Sequence, residues 1–178
     1  MSEPANGFEF LDLLRVKNGK QVQKFDDFFR FLDHKARQKK IPVCGHFELT
    51  PRDPAQEALP VGTWKLLMHQ AWDAGMIRAT FPASECRTYA GIEELVRYLH
   101  SLGCEVAAAA DTKDCITGGE GLSSFEMDWN GTLTPGGNLD GIRADALRDG
   151  FKAAWEKVSG EVSERIRVTG QESVAAAI

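Results

Sequence analysis

No apolar run in the 178 residues approaches the roughly 20 consecutive residues that span a bilayer. The N-terminal stretch carries acidic Glu3 and Glu9 and lacks the basic-then-apolar order of a secretory signal. Positive charge is also scarce. Lys and Arg number 21 against 26 Asp and Glu, a formal net charge of −5. That balance excludes a general nucleic-acid or anionic-membrane binder, which needs clustered positive charge. The basic run of Lys35, Arg37, Lys39 and Lys40 is local and reads as the solvated end of a helix. The four cysteines (Cys44, Cys86, Cys104 and Cys115) have no paired spacing. Without an export signal they read as reduced thiols in a cytoplasmic protein. His34, His46, His69 and His100 fall into no zinc-ligand spacing, and the chain has no GxSxG, Walker loop or dinucleotide fingerprint.

What is present is a soluble-domain composition, 43% hydrophobic and 26% charged. Residues 1–20 form an N-terminal arm, with Phe8–Leu14 ending at the turn signal Asn18-Gly19. From Gln21 to Lys40, Val22, Phe25, Phe28, Phe29, Leu32 and Ala36 recur at three- and four-residue steps, which predicts an amphipathic helix closed by Pro42. His46–Leu49 reads as a strand. Val61–Ala74 reads as a helix, with Trp64, Leu67, Met68, Ala71 and Trp72 on its buried face and Gly75 as its stop. Met76–Phe81 reads as a buried strand followed by the loop Pro82–Cys86. Ile92–Leu102 reads as a helix, and Glu105 with the alanines after it as a strand. Alternation of strand and helix with short connections implies right-handed parallel crossover units. The pattern then changes: Ser124–Trp129 alternates polar and apolar, and Asn130-Gly131 leads into Thr132–Pro135, a hairpin signal. A last helix is expected from about Asp145, with Leu147, Phe151, Ala154, Trp155 and Val158 on its apolar face, followed by a flexible tail over 169–178.

The ordered series Phe28–Arg37, Ile41-Pro42 and Gly45–Pro51 resembles the entrance to a radical S-adenosylmethionine enzyme of the SPASM-containing, peptide-modifying kind. Ala74–Met76 through Phe81–Tyr89 is similar to the second strand and Gly-Gly-Glu-Pro loop of that family. Ser123–Pro135 with Phe151–Trp155 is similar to the start of the SPASM region. Ile116–Leu122 also reads like the Gly-Gly-Glu loop, although the hairpin directly after it favours the SPASM entrance. The resemblance implies an α/β fold: a partial (β/α) radical-SAM-like barrel fragment with parallel strands over residues 21–115, then a SPASM-like hairpin and C-terminal helix over 116–168. It also implies cofactor contacts at Glu48 and Glu85, which occupy the family's strand-end and Gly-Gly-Glu-Pro positions.

The departures are chemical. Where the resemblance requires three cysteines after Pro51, the chain has Arg52–Leu59, and oxygen side chains replace thiolates poorly around a [4Fe–4S] cluster. Gly-Gly-Glu-Pro has become Ala83-Ser84-Glu85-Cys86, and the SPASM cysteine after Thr-Pro corresponds to Gly136. Cys86 and Cys104 read as small buried hydrophobes. The expectation is a non-catalytic binding or accessory protein with no resident [4Fe–4S] cluster and S-adenosylmethionine as the one cofactor still invited, through Glu48 and Glu85. A partial barrel leaves open edges and an uncovered apolar face, so a partner is expected: a second copy, an intact radical SAM enzyme, or its peptide substrate. The alternative is a radical SAM enzyme-like, peptide- or protein-modifying activity with S-adenosylmethionine and a cluster bound by non-family ligands.

Overall fold

The computed structural model describes residues 32–109, 121–136 and 139–175. The arm over 1–20, the first part of the helix expected from Gln21, Cys115 and the Gly118-Gly119-Glu120 stretch lie outside the described residues. Residues 32–39 are helical (α1). There follow β1 (Cys44–Phe47), α2 (Val61–Asp73), β2 (Arg78–Pro82), a single turn α3 (Glu85–Thr88), α4 (Ile92–Ser101) and β3 (Glu105–Ala109). The second half holds β4 (Ser124–Met127), β5 (Thr132–Pro135), β6 (Ala144–Asp145), α5 (Ala146–Asp149) and α6 (Phe151–Ala175).

The strands form one six-stranded mixed sheet in the order β3-β2-β1-β4-β5-β6. β3, β2, β1 and β4 are parallel, while β5 and β6 run antiparallel to their neighbours. The chain lays β2 and β3 on one side of β1 and returns to place β4 on the other. The hairpin therefore continues the first half's sheet. Among the described residues the sheet's edges are β3 and β6.

Register and strand alternation divide the sheet into two faces. Gly45 and Phe47 share a face with Ala79, Phe125, Met127, Val106 and Leu133. The helices cover this face: Phe47 meets Trp64 of α2 edge-on at 6.1 Å and Phe125 at 5.6 Å, and Phe125 meets Phe151 of α6 at 4.9 Å. Trp64, Leu67, Met68 and Ala71 of α2 and Ile92, Leu95, Val96 and Leu99 of α4 are buried there, at the three- and four-residue spacing read from the sequence. Gly45 has to be glycine because a Cβ would lie 2.5 Å from the Phe125 ring and 2.9 Å from the Met76 sulfur.

The other face differs from the uncovered apolar face expected of a partial barrel. Cys44, His46, Arg78, Thr80, Glu105, Ser124, Glu126 and Thr134 lie on it, and His46, Thr80 and Ser124 are buried. In β1, β4 and β5 the residues between the apolar positions are mostly polar, so the two-residue period makes that part of the second face polar, whereas Pro82 of β2 and Ala107 of β3 keep it apolar toward the β3 edge.

Local chemistry sets the ends of the elements. α1 closes with Lys40 at φ +54, a left-handed position usually given to glycine, and the Ile41 N–H donates to the Ala36 carbonyl at 3.0 Å. The β4–β5 turn closes by Gly131 N–H to the Asp128 carbonyl at 2.9 Å, with Gly131 at φ +81. The helix expected from Asp145 is interrupted. Asp145 caps α5 by accepting the Arg148 N–H at 3.0 Å, Gly150 at φ +80 breaks the run, and α6 restarts at Phe151. α6 continues to Ala175, into the segment read as a tail. Two residues assigned to buried faces are half-exposed: Trp72 lies beside the His69 ring near the end of α2, and Leu147 lies against Gly131 on the outside of the hairpin turn. No described helix is long and apolar enough to cross a membrane.

Candidate functional site

In open α/β sheets ligands bind beyond the carboxyl ends of the strands, at the point where the strand order reverses. Here that point is β1 and its neighbour β4. Both segments alternate polar and apolar, Cys44-Gly45-His46-Phe47-Glu48 beside Ser124-Phe125-Glu126-Met127-Asp128, and the parallel register puts His46 opposite Glu126. The Glu48 N–H extends the ladder to the Met127 carbonyl at 2.9 Å. Glu48, Glu126 and Asp128 thereby reach the polar face at one end of the sheet, and Glu85 arrives from the loop after β2.

These carboxylates have different tasks. Glu85 is buried and accepts the backbone N–H groups of both Leu49 and Thr50, the latter at 3.0 Å. It clamps the end of β1 to the start of α3 and satisfies two donors that leave the strand ladder. Burial raises its pKa, the Thr50 and Leu49 N–H bonds oppose that, and the Glu48 charge adds to the rise. Asp128 holds the hairpin turn, accepting from the Thr132 N–H at 2.9 Å and the Asn130 N–H at 3.2 Å. Burial raises its pKa as well, against those two bonds and with a further push from Glu48. Glu126 has no hydrogen-bond donor among the described residues, and burial, followed by the Glu48 charge, raises its pKa. Glu48 itself is 28% exposed, and its ion-pair partner among the described residues is Arg52, at 3.8 Å, on a side chain 89% exposed.

His46 stands opposite Glu126 and is only 2% exposed. Its Nδ1 lies 3.0 Å from the Thr80 hydroxyl, which donates to the Gly45 carbonyl at 3.3 Å. A hydroxyl with its proton committed accepts from Nδ1–H, which leaves Nε2 as a bare lone pair. That nitrogen is buried with no partner, as is the Ser124 hydroxyl on the same face. Burial lowers the His46 pKa, since it disfavours the charged ring.

Glu48 and Glu85, the two residues singled out from the sequence, thus stand at the same end of the sheet, with Glu85 fully engaged by backbone donors. Glu126 and His46 do not stand out in the sequence because each looks like an ordinary strand residue. Their signal was the matching alternation of the two segments, which becomes informative once β1 is paired with β4.

A thiolate-held cluster does not fit these residues. The loop after Pro51 is an exposed turn, with Asp53 accepting the Ala55 N–H at 2.9 Å, and contains no cysteine. Cys104 is buried with its thiol directed at the Met76 carbonyl, 3.7 Å away, and burial pushes it up to about 11. Cys86 is raised by burial and then by the Glu85 charge. At Gly136 a Cβ would lie 2.3 Å from the Ser124 hydroxyl, so a cysteine side chain has no room there. Among the described residues no group of three His, Cys, Asp or Glu could hold a metal ion.

A larger recess of about 1020 Å³ lies at the opposite ends of the strands, between Lys40–Pro42, the end of α2 and the start of α6. Two of its polar contacts join structural elements: Gln70 Oε1 accepts the Phe151 N–H at 2.8 Å, and Trp155 Nε1 donates to the Lys40 carbonyl at 2.7 Å. It is the joint between α1, α2 and α6. Comparison with protein-family models, with curated proteins and with solved structures finds no match.

Proposed function

We propose that the chain is a non-catalytic binding or accessory module built on a partial radical-SAM-like scaffold. The observation that carries this reading is the end of β1: Leu49 and Thr50 are held by Glu85, and the loop beyond them is an exposed, thiol-free turn. A carboxylate that clamps the backbone favours scaffolding over catalysis, because a residue held by two N–H donors gives up little to a ligand.

The partner surface in this reading is β3. Among the described residues it pairs on one side only, and its Glu105–Ala109 backbone can accept a further strand from a second copy, an intact radical SAM enzyme or that enzyme's peptide substrate. Sedimentation velocity over a micromolar concentration series, alone and with a strand-forming peptide, tests this. Self-association or peptide binding that is lost on replacing Ala107 by proline supports it. A strictly monomeric chain that binds no peptide and no apolar dye counts against it. Calorimetric titration with S-adenosylmethionine tests the rival cofactor role of Glu48 and Glu85, for which the shared end of the sheet is the only support.

A further inference from the structure

A crevice of about 300 Å³ opens on the polar face, between β4, β5 and the loop leading into β6. Glu126 and Thr134, directly opposed in the β4–β5 register, form its polar side. Leu139, half-buried, gives it an aliphatic flank with Pro135 and Ile142 buried beneath, and Arg143 and Asp140 stand exposed at its rim. None of the Glu126, Thr134 or Arg143 side chains makes a hydrogen bond or ion pair among the described residues, although each is built to make one.

We propose that this crevice binds a free α-amino acid with an aliphatic side chain: its ammonium on Glu126 and Thr134, its carboxylate on Arg143, and its side chain against Leu139. Opposite charges at the two ends fit a zwitterion, and the volume sits at the small end of ligand pockets, which start near about 300 Å³. Asp140 leaves the lining with one more negative than positive side chain, so the ammonium end is favoured over a bare carboxylate ligand. A second observation is independent of the crevice itself. His46 Nε2 and the Ser124 hydroxyl, on the same face and beside Glu126, are buried without partners. Unmet buried polar groups in a native fold point to a bound molecule or water that completes them; neither of these two lines the crevice, so they show unmet polar capacity beside it and not a contact to the amino acid. This inference stands apart from the partner surface at β3, and either can fail without the other.

The test is calorimetric titration of the full chain with L-leucine, leucinamide and N-acetyl-leucine. Leucine is expected to bind, and the two analogues, each lacking one charge, to bind at least about 10-fold more weakly, since a charge-assisted hydrogen bond contributes that much. Glu126→Gln and Arg143→Gln should each weaken leucine by a similar factor with unchanged far-UV circular dichroism. Arg143 is exposed, so its variant folds whatever Glu126→Gln does. No leucine binding up to about 10 mM, equal binding of all three compounds, or binding untouched by Arg143→Gln overturns the proposal.

Discussion

The two faces of the sheet differ in what their residues can be exchanged for. On the helix-covered face, Gly45, Phe47, Ala79, Phe125 and Met127 are set by volume. On the other, His46 and Thr80 are held by hydrogen bonds, while the Ser124 hydroxyl and the Glu126 carboxylate leave their capacity unused. A face chosen for stability alone would not bury an imidazole nitrogen and a hydroxyl without partners, each costing about 1–3 kcal/mol. The first face accounts for the fold, and the second is where binding chemistry can reside.

The sharpest way to break this contrast is at Phe125, which touches Phe47, Phe151 and Trp155. Phe125→Ala should cost about 3–5 kcal/mol in urea denaturation, the range for a fully buried aromatic. Glu85→Ala comes next, at about 2–4 kcal/mol, because it leaves the Leu49 and Thr50 N–H groups without an acceptor. If Glu85 is instead a cofactor ligand with no structural task, the change will leave stability untouched. Gly45→Ala drives a methyl group into the Phe125 ring and should cost about 1–3 kcal/mol.

Apart from the Phe125 and Gly45 core, these positions were unequally visible in the sequence. The three- and four-residue periods of α2 and α4 and the short apolar strands were legible because each pattern is local. Glu85 was visible as a position, but its task was hidden. The donors it satisfies belong to Leu49 and Thr50, 36 and 35 residues away. The pairing of β4 with β1 depends on how the chain returns across the sheet, and no local period records that. The polar face was hidden for the same reason, since His46 and Glu126 become neighbours only through that pairing. Gly150, which ends α5, does not stand out in the sequence because the apolar spacing continues across it.

Titration separates the faces further. The folded-state pKa values of Glu85, Glu126 and Asp128 are raised, so the native state binds more protons than the unfolded one above the ordinary values of 4.5 for Glu and 3.8 for Asp. Their contribution to stability falls as pH rises through that window. His46 works in the opposite direction. Its pKa is lowered from 6.5, so the stability it contributes above that value is lost as pH falls toward its folded-state pKa. Thermal melts should show Glu126→Gln raising the midpoint at pH 7, with a smaller gain on acidification than the parent chain. His46→Asn should flatten the fall below pH 6.5. A Glu126→Gln midpoint that drops at pH 7 would mean the carboxylate has a partner. The smallest effect belongs to neither face: Lys40→Gly removes the left-handed strain at the end of α1 and should gain up to about 1 kcal/mol.

The central claim is that the strand end after β1 is a clamped, thiol-free scaffold. Anaerobic reconstitution with iron and sulfide tests it most directly. The account predicts no stoichiometric iron or sulfide on the desalted chain and no absorption band near about 400 nm, the expectation for thiolate-held clusters. About four irons and four sulfides per chain with that band, surviving Glu85→Gln, would contradict it.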